Sequence, residues 1–366
     1  MGLRTGHDRI SGAGPRTFPS VFLSLSVRKP RSCGVPLCSS SSSRQSEGCT
    51  TSSTTSSTSF ERIEVANPIV ALGKFNALHL GHRELLLQAS RMGHPCLLSF
   101  SGMSKILNLP ARPSLTAAPD RPRVLASWSA AMEHERSPVE ITLPFHQVRY
   151  LQPEDFVKVL VHEMGARGIV CGENCRFGYK AVGDASLLQE LGKKHGIPVT
   201  VVQLVQATGG GGEGETRGAT EGAQGTIDAS ISSSRITELV SEGEMELAAK
   251  MLGRPYRLVA DLSLAEAFDW EEGEEGAGER QGERERRLSI SLASFLNTVP
   301  GPGRYGVSLS LQGEEEEDPG RTWKGEARVG QEQGDSGVAV AMERETGQDL
   351  ATSLEGNHLL CIDFVT

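Results

Sequence analysis

The feature that most constrains this chain is an alternation beginning near residue 65, where short apolar runs of strand length are each followed by a stretch with apolar residues at helical spacing. PIVALG (68–73) reads as a buried strand, RELLLQASRMG (83–93) as a helix closed by Gly93, and PCLLSF (95–100) as a second strand, together a βαβ unit. VEITLPF is strand-like, and PEDFVKVLVHEMGA places Phe156, Val157, Leu160, Val161 and Met164 on one face of a helix that starts at Pro153. GIVCG is a further strand, Asp184 caps a helix DASLLQELGKKHG that ends at Gly196, and IPVTVVQLV follows as a strand. Strands alternating with helices of this length require a parallel sheet covered on both faces, with ligands bound at the carboxyl ends of its strands.

The 366 residues carry a net charge of -9 at pH 7, with no concentrated basic face of the kind that holds nucleic acid through its phosphates. No run of about 18 apolar residues occurs, so no membrane-spanning helix is expected. Residues 1–60 are crowded with Ser and Thr, carry scattered Arg and Lys and have almost no acids. That is the composition of an organelle transit peptide, without a packed core. Residues 206–229 are rich in glycine, read as a flexible insertion, and lack the Lys-Ser/Thr that ends a phosphate-binding P-loop. The seven cysteines are scattered, and the spacing of Cys171 and Cys175 fits neither a redox pair nor a zinc knuckle, so reduced thiols are expected.

The chemistry concentrates in LGKFNALHLGHREL (72–85), the loop between the first strand and the first helix. His79, Gly81 and His82 stand where backbone N–H groups and the helix dipole attract an anion, phosphate being the obvious one. Imidazoles can donate to phosphate oxygens, and Gly81 lets the backbone approach closely. In GENCRFG (172–178), Asn174 offers a donor and an acceptor, Arg176 a fork suited to phosphate, and Phe177 a ring face. In ISSSRITEL (231–239), hydroxyls at Ser232, Ser233 and Ser234 both cap a helical run through LVSEGEMELAAKMLG and could grip phosphate.

These stretches, with MLGRPYRL (251–258), resemble in order and spacing the FMN adenylyltransferase module of the FAD synthetase family, within the H-x-G-H nucleotidylyltransferases, and LLSFSGM (97–103) and RFGYKA resemble its plant plastid branch. The resemblance implies a Rossmann-like α/β nucleotidylyltransferase domain with a parallel sheet over 61–258. It implies transfer of AMP from MgATP to FMN, giving FAD and pyrophosphate in a plastid, with the mitochondrion as the alternative. It implies His79 and His82 as the catalytic pair. Gly73, Lys74, Phe75, Asn76 and Gly81, with Ser232, Ser233, Ser234 and Arg235, then complete the ATP site, while Asn174, Arg176, Phe177 and Asp184 form the FMN site. Magnesium arrives with ATP, no residue is firmly its ligand, and the partners are ATP and FMN alone, with the oligomeric state open.

Two positions depart from the family pattern. The family's F-D-G acid is Asn76, and the final arginine of I-S-S-T-x-x-R is Thr237. Magnesium prefers carboxylate oxygens, so Asn76→Asp is expected to raise the rate. Adenylyl transfer to another phosphorylated substrate, or a non-catalytic flavin-binding relic, are the competing readings. Residues 259–366 turn acidic and polar, broken by strand-like pieces at RLSISLASFL, RYGVSLSLQ, SGVAVAM and NHLLCIDF. They are expected to form a degenerate, partly disordered C-terminal β region, a residual riboflavin-kinase-like barrel. The Pro-Thr-Ala-Asn of the kinase is absent, so no riboflavin kinase activity is expected.

Overall fold

The structure, a computed structural model, describes residues 60–110, 112–203, 205, 230–263, 268–272, 285–312, 321–332, 335–354 and 359–365. The targeting reading of residues 1–60, but for Phe60, and the insertion 206–229 lie outside the described residues.

The first half is an open α/β layer. Its elements run β1 (Pro68–Leu72), α1 (Leu80–Met92), β2 (His94–Ser101), α2 (Met103–Ile106), α3 (Arg121–Ser127), β3 (Val139–Pro144), α4 (Phe145–Val148), α5 (Pro153–Lys158) and β4 (Gly168–Gly172). They continue with β5 (Arg176–Phe177), β6 (Gly183–Asp184), α6 (Ala185–His195) and β7 (Val199–Val202). The main sheet has five strands in the order β3-β2-β1-β4-β7, all parallel. Every residue of the central β1 is buried. Its pleat sends Val70 and Leu72 into a core with Phe156, Leu160 and Leu188, and Ile69 and Ala71 into a second core with Leu85, Leu86 and Val124. Each fully buried leucine in these layers stabilises the fold by roughly 2 kcal/mol. The chain steps from β1 to β2 and β3 on one side and returns to β4 on the other, which makes the carboxyl end of β1 a topological switch point where a crevice opens.

Local chemistry sets the ends of these helices. Asp184 accepts from Leu187 N at 2.9 Å to cap α6, and Gly196 closes it at φ 73°. The helix begun at Pro153 does not stay regular: after Lys158 it widens into a π turn over Val159–Glu163, with Met164 N bonded to Val159 O at 2.9 Å. The single helical run expected after ISSSR is instead two helices, α7 (Ser233–Glu242) and α8 (Met245–Leu252). They break at Gly243, φ 80°, where a Cβ would stand 2.5 Å from the Tyr305 hydroxyl.

Beyond α8 the chain forms β8 (Arg257–Asp261), β9 (Phe268–Glu272), β10 (Glu285–Ser291), β11 (Gly303–Gln312), β12 (Trp323–Glu332), β13 (Asp335–Glu343), a helix α9 (Arg344–Ser353) and β14 (Leu359–Phe364). These strands make one curled antiparallel sheet of seven, in the order β8-β14-β11-β12-β13-β10-β9. Alternate residues, among them Leu288, Ile290, Val307, Leu309, Val338 and Val340, point into a third core shared with Ile236, Leu239, Met251 and Leu252 of α7 and α8. The same core takes in Ala77 and Leu115 from the parallel half. Asn297, 1 % exposed, fastens the seam: its Oδ1 accepts from Val259 N at 2.9 Å, and its Nδ2 donates to Leu115 O at 3.2 Å and Arg257 O at 2.8 Å. A buried amide satisfied on both ends in this way fixes one register of one half against the other.

Candidate active site

The loop leaving β1 delivers two histidines to the start of α1. His79 is the N-cap, its Nδ1 accepting from His82 N at 3.3 Å, while His82 Nδ1 accepts from His79 N at 3.4 Å. The rings stack with centroids 3.6 Å apart and planes 17° apart. This is a capping box built from imidazoles rather than a hydroxyl and a carboxylate. At the helix start the two imidazoles accept from the N–H groups of His79 and His82, the latter shared with His79 O at 2.8 Å. A Cβ at Gly81 would lie 3.1 Å from the His79 ring, so only glycine leaves the imidazole in place.

Both rings are 6 % exposed. Burial, with the Arg254 cation adding to it, pulls the His79 pKa down to about 4. Burial, then the neighbouring His79, Arg121 and Arg254, hold His82 well below its ordinary value. Both are therefore neutral at physiological pH, and since each Nδ1 accepts a backbone N–H, each proton sits on Nε2. The helix mouth thus presents two neutral Nε2–H donors.

Phe75 and Arg254, with Arg121 and Glu140, which no motif singled out, hold this arrangement. Phe75, 4 % exposed, meets His82 edge-on at 4.8 Å, and its carbonyl accepts from Arg121 Nη1 at 2.6 Å. Arg121 in turn grips Glu140 through Nε at 2.8 Å and Nη2 at 2.6 Å. Arg254 donates to Leu78 O at 2.6 Å and Ala77 O at 3.0 Å. Of the remaining loop residues, Lys74 is exposed. A Cβ at Gly73 would meet the Phe75 ring at 2.9 Å, and Asn76 Oδ1 is buried with no hydrogen-bond partner.

The segment from Ile231 runs alongside, with Ile231 O 3.9 Å from where a Gly81 Cβ would be, so the starts of α1 and α7 meet. Ser232 caps α7, its Oγ accepting from Arg235 N at 3.2 Å, and Ser233 and Ser234 open the helix. Arg235 reaches along the surface to Glu238 at 2.6 Å, and Thr237 turns its hydroxyl back to Ser233 O at 2.9 Å. In the other loop Asn174 and Arg176 are exposed beyond the carboxyl end of β4, and Arg176 pairs loosely with Asp184 at 3.6 Å. Phe177 does not present its ring to the crevice: at 1 % exposure it packs in the core, 6.0 Å from Phe156. Cys171 and Cys175 are free thiols.

A parallel sheet with two helix starts converging at its switch point, one capped by stacked neutral histidines, defines a Rossmann-like α/β protein of the H-x-G-H type. Comparison with known proteins narrows this. The family model described as FAD synthetase matches residues 62–211. The chain is 38 % identical over 261 residues to FAD synthetase 2, chloroplastic, of Arabidopsis thaliana, covering 70 % of this chain and 64 % of that protein. It is 36 % identical over 250 residues to FAD synthetase 1, chloroplastic, of the same plant, covering 68 % and 66 %. A bifunctional riboflavin kinase/FMN adenylyltransferase of Pseudomonas fluorescens is 24 % identical, with 72 % of each chain covered. Among solved structures, one described as a macrolide-efflux protein from Streptococcus pneumoniae shares the fold at TM-score 0.57 over 82 % of this chain and 84 % of that one, at 19 % identity. The chain is thus similar to FAD synthetases of the plant type, and spans just under two thirds of the length of these plant relatives.

Proposed function

We propose that this chain transfers the adenylyl group of MgATP to FMN, releasing FAD and pyrophosphate. The observation that carries the reading is the stacked pair His79 and His82, neutral and with Nε2–H free of the capping bonds, at the mouth of α1. An FMN phosphate oxygen bonds to the α-phosphorus of ATP as the bond to the β-phosphate oxygen breaks, so no protein nucleophile is needed. The work of the site is to hold two anions in line and to stabilise charge on the phosphate oxygens. His79 and His82 donate to the α-phosphoryl and departing pyrophosphate, the N–H groups of α1 and α7 face the distal phosphates, and Ser232–Arg235 flank them. Asn174, Arg176 and Asp184 on the neighbouring loop are the contacts for FMN.

Magnesium fits the one buried, unpartnered oxygen of the loop, Asn76 Oδ1. No group of three or more His, Cys, Asp or Glu among the described residues is placed to hold a metal by itself, so Asn76 would meet magnesium carried on ATP. When bound, magnesium would neutralise phosphate charge. The seven-stranded sheet is read as a barrel relic without riboflavin kinase activity, because the kinase's Pro-Thr-Ala-Asn is absent from the sequence. The chloroplastic plant relatives favour a plastid over a mitochondrion for this chain.

The test is FAD formation by the full chain from FMN and MgATP, with riboflavin substituted for FMN in parallel, for the wild type and His82→Ala. FAD from FMN only, reduced about 100-fold in the variant, is the expected result. A folded wild type that binds FMN without forming FAD would sink the proposed reaction, and FMN made from riboflavin would sink the proposed lack of kinase activity.

A further inference from the structure

We propose that Arg254 is the positioning residue of the histidine loop, a guanidinium supplied from between α8 and β8 that fixes the main chain immediately before His79 and so sets where both imidazoles stand. The inference rests on the reading of those imidazoles as the phosphate-contacting pair. It gives a role to MLGRPYRL, a stretch of the resemblance that the reaction itself leaves without one.

Arg254 bonds two successive carbonyls of the loop, Leu78 O at 2.6 Å through Nη1 and Ala77 O at 3.0 Å through Nη2. The same Nη2 reaches Thr116 Oγ1 at 3.0 Å, and Thr116 Oγ1 donates to Ala77 O at 2.8 Å, closing a small ring around that carbonyl. Leu78 needs holding. It is fully buried at φ 48°, a left-handed conformation that costs a leucine roughly 1 kcal/mol and persists only where its surroundings impose it. The residue after it is the helix cap, so its peptide orientation sets the direction in which the His79 side chain leaves the backbone. A second contact lies one residue away: Gly253 has φ 70°, and a Cβ there would stand 2.5 Å from Leu80 Cδ2, on the first turn of α1.

The partners of Arg254 separate this role from that of an ordinary ion pair. All of its hydrogen bonds go to neutral acceptors: three carbonyls, Leu252 O included, and one hydroxyl. A planar fork can span two adjacent carbonyls, whereas the ammonium of lysine is a point charge on a flexible stem. The buried cation also adds to the desolvation that keeps His79 and His82 neutral, and Arg121 is the other cation acting on His82. One side chain thus bears on the placement of the pair and adds to the burial that keeps it neutral, and Arg254→Lys should separate these effects.

The experiment uses the full chain with Arg254→Lys, Arg254→Met and Thr116→Val, and takes two readings: kcat and KM for FAD formation, and imidazole nitrogen shifts of labelled His79 and His82 against pH without substrates. Arg254→Lys should lower kcat about 100-fold with KM for ATP changed less than about threefold, because a misplaced donor costs rate more than binding. It should also perturb the Nδ1 shifts while leaving His79 neutral down to acid pH. Arg254→Met should in addition let His79 titrate at a higher pH, and Thr116→Val, which leaves the guanidinium in place, should lower kcat about tenfold. Full kcat in Arg254→Lys, a rise in KM for ATP alone, or histidine shifts unchanged in all three variants would overturn the inference. Should the wild type form no FAD, the shifts still decide the role of Arg254, and only the proposed reaction falls.

Discussion

The starts of α1 and α7 lie side by side and perform the same local task with different chemistry. At α7 the cap is a serine hydroxyl, the residue type that isolated helices favour, with Arg235 N 3.2 Å from Ser232 Oγ. At α1 the cap is an imidazole stacked on a second imidazole, each accepting through Nδ1 from the other residue's backbone N–H, both rings being buried. Histidine is not among the preferred caps, so its presence at α1 is explained by what the other ring nitrogen can do. The comparison teaches that a helix start can be stabilised cheaply by a hydroxyl, and that a costlier group there points to a ligand.

The comparison can be broken in four ways. The α1 cap titrates and the α7 cap does not, so acid should act on α1. His79 has a folded pKa of about 4 against an ordinary 6.5, so its contribution to stability is complete above pH 6.5 and is lost as pH falls toward 4, on the order of 3 kcal/mol. His82 acts in the same direction. Denaturant unfolding measured from pH 8 to 4 should show that decline, and His79→Asn should make it shallower, leaving the part due to His82.

His79→Asn also separates capping from chemistry, since asparagine caps well yet carries no Nε2–H. Helix stability should hold while FAD formation falls about 100-fold, and an active variant would reduce His79 to a cap. Ser232→Ala should cost about 1 kcal/mol of stability, read as a shift in the urea midpoint. If Ser232 also contacts phosphate, KM for ATP rises with it. The smallest effect is expected at Asn76→Asp, a rate increase of a few-fold at saturating magnesium as a carboxylate replaces the lone amide oxygen. A rate equal to or below the wild type would show that the amide is the better group there.

Much of the parallel half was legible because its signals are local. The β1-α1-β2 unit, the Asp184 cap and the Gly196 stop of α6 all follow from residues within four positions of one another. The break between α7 and α8 was not legible, since a glycine inside a helical pattern is often tolerated. What forbids continuation is Tyr305, whose hydroxyl occupies the space beside Gly243. In the C-terminal sheet β12 was missed because its inward residues include Gly325 and Ala327, too small to mark an apolar face amid the outward charges. The helix α9 was missed because Leu350 anchors an otherwise polar run. Phe177, an aromatic in a motif loop, could have served a ligand or the core, and packing against Phe156 placed it in the core.

The sequence by itself determined the alternation of strand and helix, the parallel sheet that alternation requires, and the arrival of H-x-G-H at a helix mouth, because periodicity and capping are settled by neighbours in the chain. Only the tertiary structure decided that the two imidazoles stack, that both stay neutral with their protons on Nε2, and that Arg254 holds Leu78 from 176 residues away. A pKa and a carbonyl's orientation depend on which distant segments exclude water and supply donors, and no spacing along the chain records which segments those will be.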